Sequence, residues 1–141
     1  MTDEFIDSNI LIYLTDLDYP DKKRKAKQII SRAVIGNEKF AISPQILGEF
    51  FVNATKKIAS PISEEEGKEI IRSIIKSESF FIFPITKEIT LAALEIVEKH
   101  KISYWDAQII SVMKENGIST ILTENTKDFN VPGIVAVNPF K

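Results

Sequence analysis

The stretch Glu4-Phe5-Ile6-Asp7-Ser8-Asn9-Ile10-Leu11-Ile12-Tyr13-Leu14 decides how the rest of the chain is read. Glu4 to Asp7 reads as a short strand, and Ser8-Asn9 turns the chain into a second apolar segment, Ile10 to Leu14. Asp7 therefore sits where the first strand ends. In open parallel sheets ligands bind in the crevice at the carboxyl ends of strands, so an acid there is placed for function. The same aspartate also fits an Asx turn or an N-cap for the segment starting at Ser8. Position alone leaves both readings open.

Working outward, short apolar runs alternate with longer helical patterns, the signature of an α/β domain with a central, mainly parallel sheet flanked by helices. Asp21 is expected to cap a basic helix from about Lys22 to Val34, with Ala26, Ile29, Ile30 and Ala33 as its apolar stripe. Phe40-Ala41-Ile42 reads as a second strand. Ser43-Pro44 starts a helix that places Ile46, Leu47, Phe50, Phe51, Ala54 and Ile58 on one side. Ser63 with Glu66 predicts a capping box ahead of Ile70, Ile71, Ile74 and Ile75. Phe80 to Ile85 reads as a third strand, Thr86 caps a helix to about Lys99, and Ser103 opens another that Gly117 closes. Ile118–Thr123 and Ile134–Val137 are the last two strands. With no internal repeat and no linker, residues 1–141 read as one domain.

The 141 residues are 44% hydrophobic and 27% charged, an ordinary globular composition with enough chain for a real core. No cysteine is present, which excludes disulfides, thiolate metal sites and thiol nucleophiles. A single histidine, His100, excludes multi-histidine zinc cages, and its pattern offers no triad partner. Met1-Thr2-Asp3-Glu4 is acidic where a signal peptide is basic, and the apolar run Ile10–Leu14 is far short of the roughly 18 residues of a spanning helix. No membrane association and a cytoplasmic location are expected. The net charge of −2 does not advertise a nucleic-acid binder, so any attraction to phosphate must be local. The block Lys22, Lys23, Arg24, Lys25 and Lys27 is read as a solvated helix face. Gly67-Lys68 lacks a glycine-rich loop and is no phosphate cradle.

What remains is carboxylate chemistry. Counting from Asp106 by helical steps gives Ile109, Ile110 and Met113, so this acid lies over an apolar stripe and needs a partner; the plainer reading is that Ser103 and Asp106 form a capping box. Glu49 lies on the flank of its helix and, taken alone, reads as solvated. The segment Thr123-Glu124-Asn125-Thr126-Lys127-Asp128-Phe129 puts oxygen-bearing side chains after a strand, or is simply a turn with a helix cap. If Asp7, Glu49, Asp106 and Asp128 meet at one sheet edge, any two about 4 Å apart repel by roughly 4 kcal/mol at an effective dielectric near 20. Such a cluster needs a cation, and ligands that are all oxygen suit Mg²⁺ or Mn²⁺. An ion held this way suits phosphodiester hydrolysis.

The segments Phe5-Ile6-Asp7-Ser8-Asn9-Ile10-Leu11-Ile12-Tyr13, Ile46-Leu47-Gly48-Glu49-Phe50, Tyr104-Trp105-Asp106-Ala107 and Ile121-Leu122-Thr123-Glu124-Asn125 through Asp128-Phe129 together resemble the PIN domain family. The chain is similar in size to single-domain VapC-type toxins. The resemblance implies a three-layer PIN-like α/β fold and a Mg²⁺- or Mn²⁺-dependent ribonuclease acting on RNA. It further implies a homodimer held inactive by an antitoxin encoded beside it. Asp7, Glu49 and Asp106 resemble the family's three acidic metal-site residues and Thr123 its hydroxyl residue, with Ser8 and Asn9 beside them. Asn125 stands where many members carry a fourth acid; it offers a neutral oxygen but no charge, and Asp128 is the candidate to supply the missing carboxylate.

Two other classes compete. A receiver domain of a signalling relay carries an aspartate after its middle strand, but Phe80–Ile85 ends in Thr86. A PIN module that binds RNA or takes part in RNA processing without cutting is supported only by Asn125.

Overall fold

The computed structural model describes residues 3–141. Five three-residue strands, β1 (Glu4–Ile6), β2 (Phe40–Ile42), β3 (Phe80–Ile82), β4 (Thr120–Leu122) and β5 (Val135–Val137), form one parallel sheet in the order β3-β2-β1-β4-β5. The chain moves outward from β1 to β2 and β3, then returns to β4 on the other side of β1. The strand order thus reverses between β1 and β4, and the crevice beyond their carboxyl ends is the topological switch point. Asp7 follows β1 and Thr123 follows β4.

Six α-helices connect the strands: α1 (Ser8–Tyr13), α2 (Pro20–Val34), α3 (Pro44–Val52), α4 (Glu64–Lys76), α5 (Lys87–His100) and α6 (Tyr104–Glu115). Right-handed crossovers put α1 to α4 on one face of the sheet and α5 and α6 on the other. The packing agrees: α1 lies on α2 and α3, α3 on α4, and α5 on α6. The core between these layers holds Phe5, Ile6, Phe40, Ile42, Ile46, Phe50, Ile110, Met113 and Ile121, all fully buried. Helix α6 is buried along the whole run Ala107 to Met113, so its position is fixed by the core rather than by its caps. Gly67 lets α4 approach α3 closely, since a Cβ there would stand 3.1 Å from Phe51 and Thr55.

Several boundaries differ from the sequence reading. Asp21 does not cap α2: the helix starts at Pro20 with Tyr19 as N-cap, because proline is preset for the first helical position. Ser43 is the N-cap of α3 but makes no capping hydrogen bond, and its buried hydroxyl has no partner. Strand β3 ends at Ile82 rather than Ile85, since Pro84 has no N–H for a ladder. Strands β4 and β5 are shorter at their ends than the apolar runs suggested. The Ser63–Glu66 capping box forms with both of its bonds, Thr86 caps α5, and Gly117 follows α6 at φ +70°, where a residue without Cβ is favoured. No described helix is long and apolar enough to cross a membrane.

Candidate active site

Asp7 is the best-fixed residue at the switch point. Its backbone N–H donates to the carbonyl of Leu122 at 3.0 Å, which ties the end of β1 to the end of β4. Its carboxylate is buried and receives the Ser8 N–H at 2.8 Å on Oδ1 and the Thr123 hydroxyl at 2.7 Å on Oδ2. The Asn9 amide lies 3.4 Å from both Asp7 Oδ2 and Thr123 Oγ1. The two readings of Asp7 are thus not rivals, because one carboxylate oxygen caps α1 while the other faces Thr123. Thr123 is itself fully buried and accepts the Asn125 N–H at 3.0 Å.

The other acids come from different elements. Glu49 stands on the second turn of α3, half-buried, accepting the Gln45 amide at 3.1 Å. Asp106 is in the first turn of α6, where Ser103 caps its N–H at 3.2 Å and donates its hydroxyl to Oδ2 at 2.9 Å. Only half of the expected capping box therefore forms, and the carboxylate stays available. Asp128, half-buried, is in the 3₁₀ turn Thr126–Phe129 that follows β4.

The charges of these carboxylates act on one another, Asp128 on Asp7 and Asp106, and Asp7 and Asp106 on Glu49. Burial pushes the Asp7 carboxyl above its ordinary range, with the Asp128 charge adding to the rise and the bonds from Thr123, Ser8 and Asn9 opposing it. Burial likewise raises Glu49, helped by the charges of Asp7 and Asp106 and opposed by Gln45. Burial raises Asp106, and the charges of Asp128 and Asp7 raise it further against the Ser103 bond. Burial and neighbours of the same sign thus both push Asp7, Glu49 and Asp106 toward protonation, a push that a nearby cation would oppose.

Among the described residues no three acidic or imidazole side chains are gathered tightly enough to clasp one ion in this conformation. The donor chemistry nevertheless fits a hard divalent cation: the ligands are oxygens, they repel one another, and their burial favours whatever neutralises them. Glu49 and Asp106, half-exposed and each fixed by a single side-chain partner, are the members with room to move.

Asn125 lies in the loop after β4. Its side chain is exposed, and its contribution to the site is the backbone N–H given to Thr123. Sequence reasoning also missed a polar network beside the switch point. Lys22 bonds Glu124 and, at 3.2 Å, the Tyr13 hydroxyl, which in turn donates to Glu124 at 2.8 Å. The ammonium lies over the Tyr13, Tyr19 and Phe140 rings, and the Glu124 N–H donates to Asn9 Oδ1 at 3.3 Å. Lys22 is therefore not the solvated lysine expected of a basic helix face. It braces α1 and α2 against the loop carrying Thr123.

Comparison with known proteins falls in line with this architecture. The family model described as PIN domain matches residues 5–133. No curated protein matches significantly. Among solved structures, a toxin–antitoxin complex from Klebsiella pneumoniae is 26% identical with a TM-score of 0.65, covering 96% of this chain and 97% of that one. The Mycobacterium tuberculosis toxin VapC20, described as cleaving the sarcin-ricin loop, is 19% identical with a TM-score of 0.63, covering 93% and 95%. VapBC2 from Rickettsia felis, bound to a DNA fragment from its promoter, is 18% identical with a TM-score of 0.65, covering 96% and 97%.

Proposed function

The chain belongs to the PIN domain family, and on that premise we propose that it is a Mg²⁺- or Mn²⁺-dependent endoribonuclease, the toxin of a toxin–antitoxin pair, acting as one domain over residues 1–141. The observation that carries the proposal is the set of carboxylates at the β1/β4 switch point whose ionisation is opposed by burial and by one another. A structure that keeps such a cluster at the crevice where parallel α/β sheets bind ligands is built for a cation and for chemistry that the cation assists.

Asp7, Glu49, Asp106 and Asp128 are the residues that would hold the ion. When bound, the ion supplies positive charge against the phosphoryl oxygens and makes water a better nucleophile at neutral pH. Asp7 is the rigid member, oriented by Ser8 and Thr123. Thr123 aims its proton at Asp7 while holding the following loop through Asn125. Asn9 reaches Asp7, Thr123 and the Glu124 N–H, so one amide keeps strand end and loop in register. The toxin assignment is supported by likeness to toxin–antitoxin structures over nearly the whole chain. It carries with it an antitoxin partner and a homodimer. Exposed Ile75 at 56%, on the helix whose Ile74 is buried, leaves an apolar side chain free for such contacts.

Purified protein is expected to cut RNA in Mg²⁺ or Mn²⁺, to stop in EDTA and to resume when the metal is restored. Cutting that persists in EDTA would overturn the proposal, and a well-folded protein inactive in both ions would favour the non-cutting module.

A further inference from the structure

Helix α3 presents a groove of about 510 Å³ on the side of Glu49, lined also by Gln45, Gly48, Asn53, Lys57 and Trp105. Three features of this groove are unexplained by folding. Trp105, which belongs to α6, is 59% exposed, and its ring is steadied by a perpendicular contact with Tyr104 at 5.0 Å. Exposing so large an apolar surface forgoes burial that the core would reward. Gly48 sits inside α3, where glycine is less favourable than alanine, yet a Cβ there would meet nothing within 4 Å. No packing demand accounts for it. Gln45 spends its amide nitrogen on Glu49, while its carboxamide oxygen is buried without any partner, leaving the wall with an unused acceptor. Beyond Gly48, α3 runs on as a single π-helical turn, Asn53–Lys57, which carries exposed Lys57 to the far end of the groove. Such turns are rare and recur at functional sites.

From these we propose that the groove is a nucleobase subsite, in which one unpaired base of the RNA strand stacks on Trp105 and lies over the helix backbone at Gly48, with Lys57 meeting a phosphate of the same strand. The inference rests on the ribonuclease reading above, since Glu49 joins the groove to the carboxylate cluster and so places the base beside the phosphate to be cut. A flat ring suits the site because aromatic stacking accepts any base, and Gly48 leaves the clearance that a ring close to a helix requires. Substrate selection by this subsite would favour single-stranded or splayed nucleotides, because a base inside a duplex cannot reach the indole.

Trp105 is the sole tryptophan in the chain, so its emission reports on the groove directly. The full-length protein is titrated in Ca²⁺ with a short single-stranded RNA and with an abasic ribose-phosphate oligomer of the same length. RNA is expected to quench the emission and the abasic oligomer to leave it nearly unchanged. In steady-state cleavage with Mg²⁺, Trp105→Ala is expected to raise KM about tenfold, within the range of one base–aromatic stack, with kcat little changed, and Trp105→Phe to restore most of the loss. Gly48→Ala is expected to raise Tm, through helix propensity, while raising KM. Equal quenching by both oligomers, an unchanged KM in Trp105→Ala, or emission that shifts with protein concentration in the absence of RNA would each overturn the subsite. The last result would assign the groove to a second copy of the chain. Wild-type protein that does not cut RNA at all would instead overturn the ribonuclease reading, and that failure is scored separately from the quenching.

Discussion

Glu49→Gln tests the electrostatic account without disturbing the fold. The substitution keeps the side-chain length and keeps an oxygen to accept the Gln45 amide, so the 3.1 Å hydrogen bond survives. What it removes is one charge from a half-buried position facing Asp7 and Asp106. Like charges near enough to act on one another at an effective dielectric near 20 repel by roughly 1–2 kcal/mol, and partial exposure screens this to about 1 kcal/mol. In EDTA the variant should therefore be more stable than wild type by about 1 kcal/mol, or about 2–4 °C in Tm for a chain of this size. Asp106→Asn should gain less, because its charge also favours the N-terminal turn of α6 and that benefit, about 0.5 kcal/mol, is lost with it. The double variant should gain less than the sum of the two, since their mutual repulsion is removed only once. In Mg²⁺ the order should reverse, with wild type gaining stability from the ion and Glu49→Gln gaining little. Thermal melts with and without metal measure all of this. A Glu49→Gln protein that melts below wild type in EDTA would refute the reasoning and return Glu49 to a structural role.

Three further outcomes follow from the same geometry. Thr123→Val, nearly isosteric, takes a donor from Asp7 and an acceptor from the Asn125 N–H; it should cost about 1–3 kcal/mol by chemical denaturation and weaken Mg²⁺ affinity by titration calorimetry. Because Asp7, Glu49 and Asp106 are all raised above their unfolded values, the folded, metal-free protein binds more protons than the unfolded chain between the ordinary and the raised pKa values. Stability should thus be greatest toward the ordinary carboxylate range and fall as pH increases through the raised pKa values; melts in EDTA over a pH series check the sign, and saturating Mg²⁺ should flatten the dependence. Asp128→Asn should weaken metal affinity, whereas Asn125→Ala should leave it nearly unchanged, since the Asn125 side chain is exposed and only its backbone serves the site.

The parts of this molecule that were legible in the sequence are those governed by local rules. Asp7 could be placed because a three-residue strand followed by Ser8-Asn9 leaves little choice of where β1 ends. Ser63 and Glu66 could be paired because a capping box is a four-residue event. Asp106 stood out because a charge one helical step from Ile109 and Ile110 demands a partner. The start of α2 was misplaced where two local rules competed, and the fixed φ of Pro20 prevailed over the capping oxygen of Asp21. Glu49 read as solvated because its neighbours Asp7 and Asp106 are distant in sequence, and nothing within α3 reveals them. The Lys22–Glu124–Tyr13 network was invisible for the same reason: a lysine in a basic run gives no sign that a loop a hundred residues later supplies its counter-charge. Asn125 was assigned by family pattern to the site; its backbone N–H bonds Thr123 and its side chain is exposed, while the 3₁₀ turn after it carries Asp128, whose charge acts on Asp7 and Asp106.

The most direct test of a divalent-cation site at the β1/β4 switch point is the anomalous scattering from a crystal grown or soaked with Mn²⁺. The account predicts a peak bounded by Asp7, Glu49 and Asp106, with Asp128 alongside, and no such peak in crystals of Asp7→Asn. A strong peak elsewhere on the molecule, or none between these carboxylates in well-diffracting crystals, would contradict it.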